Sequence, residues 1–168
     1  MSMRSKVRAH VRGLIIAVGV VSAVAIPAGA GQAAPPGHTS FSFTDTFVDP
    51  DYCAAEGLTL TVSQEVNGHI QIFLNDDGSF RQAIVQQSVA FAISANGKTL
   101  HESDHWQTFV DADGTVREVG LFGHVQGDAG LVLRDAGQIV LNPDDTVAYI
   151  RGPHPQFLGQ TFCTALLP

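Results

Sequence analysis

The sequence predicts an all-β fold of about eight antiparallel strands in up-and-down order, closed into a barrel, with a β-sandwich as the alternative. Three observations carry this. From Thr39 onward apolar residues recur at every second position, and the helical period does not appear. Pairs such as Asn96-Gly97 and Asp113-Gly114 separate the alternating runs, which makes consecutive strands antiparallel neighbours. A meander of this length removes both exposed edges by closing on itself.

Ahead of these strands, residues 1–33 read as a secretory signal peptide. Arg4, Lys6, Arg8 and Arg12 form a positive start, and Leu14 to Ile26 carries no charge. Pro27 ends that run. Ala28-Gly29-Ala30-Gly31-Gln32-Ala33 then offers small-x-small cleavage between Ala30 and Ala33. The apolar run is shorter than the about 20 residues a bilayer span needs. The expectation is a secreted, extracellular protein with no stable membrane anchor after cleavage. Residues 34–39 read as a flexible lead-in rich in Pro and Gly, and residues 40–168 as a single β-barrel domain.

The strands follow in order. Phe41, Phe43 and Phe47 alternate with Ser42, Thr44 and Thr46 over 40–48. Leu58, Leu60 and Val62 define 58–65, and Ile70, Ile72 and Leu74 define 69–75, with Asn67-Gly68 read as the turn between them. Val85, Val89, Phe91 and Ile93 share a face of 80–94. Four more strands, 98–110, 115–125, 130–142 and 146–151, are set off by Asn96-Gly97, Asp113-Gly114 and Asn142-Pro143-Asp144-Asp145. Ala136-Gly137 is a further turn-tolerant pair. Residues 154–168 read as a short helix or an extended tail.

Two cysteines, Cys53 and Cys163, lie near the two ends of the exported chain. An oxidising compartment predicts one disulfide between them. All 16 acids lie from Asp45 onward, whereas four of the nine basic residues leave with the signal. Five basic residues then face sixteen acids. Nucleic acid and anionic membrane surfaces repel such a domain and are excluded as direct partners.

His101-Glu102-Ser103-Asp104-His105 matches the H-E-x-x-H string of zinc proteases. That string needs a helix, where both imidazoles reach one ion. Here it lies between two hairpin turns. On a strand the two backbones stand about 13 Å apart, too far to share a zinc. Asp111-Ala112-Asp113-Gly114 resembles the start of a calcium loop, but Phe122 occupies the place of the closing glutamate. His69 and His124 are isolated. His154, in the restricted Gly152-Pro153-His154-Pro155 loop, is a candidate ligand-binding residue, and Asp135 is paired with it as either a buried acid or, preferentially, a turn former. No Gly-x-Ser-x-Gly elbow or phosphate loop is present, so no catalytic residue, metal or cofactor is assigned.

Three segments, Gly130 to Val140, Gly152-Pro153-His154-Pro155 and Phe162-Cys163-Thr164-Ala165-Leu166, resemble a family of small secreted actinobacterial proteins of unknown function. Ala54-Ala55 stands where that family often has Gly-Phe. The strand preceding Asp135-Ala136-Gly137 is also similar, at the level of fold, to allene-oxide-cyclase-like and dirigent barrels. The resemblance implies a barrel and carries no catalytic residue.

The expected function is a secreted, non-catalytic β-barrel that binds a small apolar ligand or a protein partner. The alternative is a barrel enzyme, cyclase- or isomerase-like, or a zinc metallopeptidase through His101-Glu102-x-x-His105.

Overall fold

The computed structural model describes residues 37–168, and the expected signal peptide and its cleavage region lie outside them. Seven strands form one sheet: β1 Gly37–Asp49, β2 Leu60–Leu74, β3 Phe80–Ala95, β4 Lys98–Asp111, β5 Val116–Gly127, β6 Gly130–Leu141 and β7 Val147–Arg151. Their spatial order is their chain order, and every neighbouring pair is antiparallel. β1 begins at Gly37, inside the segment expected to be a lead-in.

Two turn expectations fail, each for a packing reason. Asn67-Gly68 lies within β2, so the expected second and third strands are one. Gly68 faces Phe41 across the β1–β2 ladder. A Cβ there would meet the Phe41 ring and the Gln86 carbonyl oxygen, each at 2.5 Å. The glycine serves a close approach of ring to backbone, not a reversal of the chain. Ala136-Gly137 likewise lies inside β6, where the Arg151–Gly152 backbone crosses it.

The sheet is not closed into a barrel. β1 and β7 are its two edges. β7 is only five residues long and pairs with β6 only from Gln138 to Leu141. Gly152-Pro153 then takes the chain off the sheet, and proline has no N–H to continue a ladder. The remaining residues cross the sheet as a loop and end in a short 3₁₀ turn, Cys163–Leu166.

The other hairpins form where Asp and Asn predict them. Asp77, Asp113 and Asp144 each accept the backbone N–H two residues ahead, from Ser79, Thr115 and Thr146. The hydroxyls of Ser79 and Thr146 also donate to Asp77 and Asp144, where they are the larger cause, and hydroxyl and backbone bonds together hold the three carboxyls below their ordinary range.

Strand register defines the inner face. One row runs Gln64, Phe91, Glu102, Val125, Leu133, and another Gly68, Gln87, Trp106, Gly120, Gly137. At one end this face is capped. Cys53, Leu58 and the C-terminal Phe162, Cys163 and Leu166 pack on Leu60, Val62, Ile93, Leu100, Val125 and Leu133. Cys53 and Cys163 form the disulfide, with Cα atoms 5.6 Å apart. The bond therefore ties the β1–β2 connection to the C-terminal turn with no pairing between the first and last strands.

Candidate functional site

The cap meets the sheet over a group of titratable residues. Asp135 Oδ1 lies 2.6 Å from His154 Nδ1, and both residues are buried. The other carboxylate oxygen accepts the Gln156 backbone N–H at 3.3 Å. The Arg151 carbonyl oxygen lies 3.2 Å from His154 Nε2. The backbone N–H of Ala136 donates to the Pro153 carbonyl at 2.9 Å. Asp135 is thus no turn former: β6 runs straight through Ala136-Gly137, which leaves its carboxyl on the inner face. Phe122 packs on the His154 ring with centroids 5.7 Å apart, and Trp106 packs on Phe122 at 6.2 Å.

β4 brings two further acids. Leu100, Glu102, Asp104, Trp106, Thr108 and Val110 share the inner side of this strand, because residues two apart face the same way. Glu102 and Asp104 are both buried. Burial, followed by the charge of Asp135, pushes the Glu102 carboxyl up to about 7. Burial, the Glu102 charge and the Asp135 charge push Asp104 up to about 9, against the lowering effect of the His124 backbone N–H it accepts. Asp104 Oδ1 is buried with no hydrogen-bond partner. Tyr52, stacked on Phe162 at 5.0 Å, is raised by burial and then by Glu102 and Asp135. Below this group Thr108 donates to Glu118 at 3.4 Å, and burial raises the Glu118 carboxyl.

The H-E-x-x-H string is split by its strand. His101 and His105 are exposed on the outer face, while Glu102 points inward. His105 Nδ1 shares a hydrogen bond with Ser88 Oγ at 2.8 Å. Asp111-Ala112-Asp113-Gly114 is the β4–β5 hairpin turn, closed by the bond from Gly114 N–H to the Asp111 carbonyl. His69 stacks on His38, and His124 bonds Gln126. The structure therefore joins Asp135 with His154, and His69 and His124 have their partners elsewhere.

Asp135 and His154 spend their polar atoms on each other and on the crossing loop. Neither of two solvent-open recesses reaches them. One lies at the β2–β3 hairpin beside Asp76, Asp77 and Arg81, and the other crosses β1 to β4 beside Thr46, Ser63, Glu65 and His101. The arrangement can store protons and fasten a loop.

The opposite flank of the inner face is open. Phe41, Phe43, Asp45, Phe47 and Asp49 share one side of β1. Phe43 is 50% exposed and Phe47 38%. Among the described residues no helix is long and apolar enough to cross a membrane. Comparison with family models, with curated proteins and with solved structures finds no match.

Proposed function

We propose that the protein is exported and acts outside the membrane as a non-catalytic binding module that takes up an extended polypeptide segment along β1. The observation that carries this reading is the character of that edge. β1 is thirteen residues long, contains no lysine or proline, and keeps Phe43 and Phe47 exposed beside a row of backbone groups that no other described strand pairs. A long edge strand templates pairing with another chain, and the two inward charges of β1, Asp45 and Asp49, restrict that pairing to a partner of opposite charge. Strand addition uses that row for hydrogen bonds and alternate side chains for selection.

The side chains specify the partner. On the inner side of β1, Phe41, Phe43 and Phe47 are interleaved with Asp45 and Asp49. A complementary strand sets apolar residues beside the rings and lysine or arginine beside the acids. The excess of acids over bases in the described domain favours the same cationic partner. A small apolar ligand is less favoured, since the two recesses are lined chiefly by polar and charged groups.

The test uses a synthetic peptide, Lys-Thr-Val-Thr-Lys-Thr-Val-Thr-Val, whose alternate residues share one face and set valine beside the rings and lysine beside the acids. It should bind the disulfide-intact domain. Affinity should fall at least about tenfold when Phe43 and Phe47 are both changed to Ser, and again when Asp45→Lys reverses the charge. Binding unchanged by all three substitutions would place the peptide elsewhere and overturn the proposal.

A further inference from the structure

The buried acids point to a device independent of β1. We propose that residues 152–162 form a flap held closed by protons on Glu102 and Asp104, which opens, tethered at both ends, when those protons leave.

The flap runs from the end of β7 to the disulfide-bonded Cys163, so it can lift but not depart. Its polar fastenings converge on two adjacent residues of β6. Asp135 holds His154 and the Gln156 N–H, and Ala136 donates to the Pro153 carbonyl. Its apolar fastening is Phe162, stacked on Tyr52.

The charges facing this closure are unbalanced. β4 contributes Glu102 and Asp104, and β6 contributes Asp135. β5 contributes only the backbone N–H of His124, whose ring is bonded to Gln126. The connection after β1 contributes Tyr52, with Asp49 and Glu56 close enough to act on it. β3 supplies Val89 and Phe91, which carry no charge. The flap supplies His154. Among the described residues His154–Asp135 is the sole acid–base contact within 4 Å, and Asp104 Oδ1 has no hydrogen-bond partner.

Three ionised carboxyls facing one imidazole away from water are strongly unfavourable, whereas two neutral acids beside the hydrogen-bonded Asp135–His154 pair are tolerated. Lifting the flap admits water to the acids. The open state therefore binds the ionised form better, and proton loss shifts the population toward it. The upward displacement of both carboxyls agrees with this direction. Trp106, the single tryptophan of the chain, touches Phe122, which touches His154, and so reports on the closure.

The experiment follows hydrogen-exchange protection of 152–162 and Trp106 fluorescence in the disulfide-intact protein from about pH 5 to about pH 10, with intrinsic exchange rates divided out. Protection of the flap should fall by about tenfold per pH unit for each proton released, and β2 and β3 should stay better protected than the flap at every pH. In the E102Q/D104N variant the flap should stay protected at about pH 9 and the fluorescence change should vanish. Flap protection that is equal at both ends of the range in the wild type, or a transition that survives in the variant, overturns the proposal. If the variant fails to fold, carboxyl carbon NMR of the wild type decides. Opening must track the titration of Glu102 and Asp104, and opening at any other pH refutes the mechanism.

Discussion

Gly137 leaves its side-chain space to His154. A Cβ built on Gly137 would stand 2.8 Å from His154 Nε2 and 2.0 Å from the Arg151 carbonyl oxygen, and its φ of 145° suits glycine alone. The loop that carries His154 can cross β6 because nothing projects there. Gly137→Ala should therefore destabilise the domain by about 2 kcal/mol or more, through backbone displacement as well as strain. Urea unfolding measures this, and a cost under about 0.5 kcal/mol would show that the crossing is looser than described.

His154→Ala removes the side-chain partner of Asp135 on a face that also holds Glu102 and Asp104. Breaking a buried pair by deleting one partner costs about 3–5 kcal/mol, since the remaining charge is left without compensation. Denaturant titration at neutral pH should show that loss. Little change would mean that Asp135 has another partner.

The stability of the whole domain should decline as pH rises. Glu102 and Asp104 ordinarily release protons near 4.5 and 3.8, but in the fold they hold them to about 7 and about 9. Between those limits the folded state binds more protons than the unfolded state, so the free energy of unfolding decreases with pH. The loss begins above about pH 4 and levels off above about pH 9. Melting temperatures across this window check the sign. A maximum on the alkaline side would contradict it.

The disulfide spans 110 residues of sequence. Closing a loop of that order contributes about 4–5 kcal/mol in the chain-entropy model. The paired Cys53→Ser and Cys163→Ser changes should lower the melting temperature while circular dichroism keeps its β signal, because strand register rests on side-chain alternation. Loss of the sheet signal would show that the bond specifies the fold as well as stabilising it.

Several of these features were legible in the sequence. Alternation in the Phe41, Val62 and Val89 segments marked the strands, and Asn-Gly and Asp-Gly marked three of the hairpins. The failures came where glycine had two meanings. Gly68 and Gly137 looked like turn residues, yet both make room for another part of the chain, and no local pattern separates those uses. Reading Ala136-Gly137 as a turn also hid Asp135 on the inner face. The burial of Glu102 and Asp104 could have been read from their shared parity with Leu100 and Val110, but the H-E-x-x-H string drew attention to the histidines on the other side. Closure depends on whether β1 and β7 meet. A five-residue β7 followed by Gly-Pro gives the only sequence hint that they do not.

The central claim is that β1 is a docking edge, and backbone hydrogen exchange with and without the Lys-Thr-Val-Thr-Lys-Thr-Val-Thr-Val peptide tests it most directly. Strand addition converts the outward N–H groups of β1 from solvent-bonded to ladder-bonded, so bound peptide should slow exchange at alternate residues between Gly37 and Asp49. The flap, β6 and β7 should be unaffected. Binding that leaves every β1 amide as fast as before, or that protects residues 152–162 instead, would contradict the account.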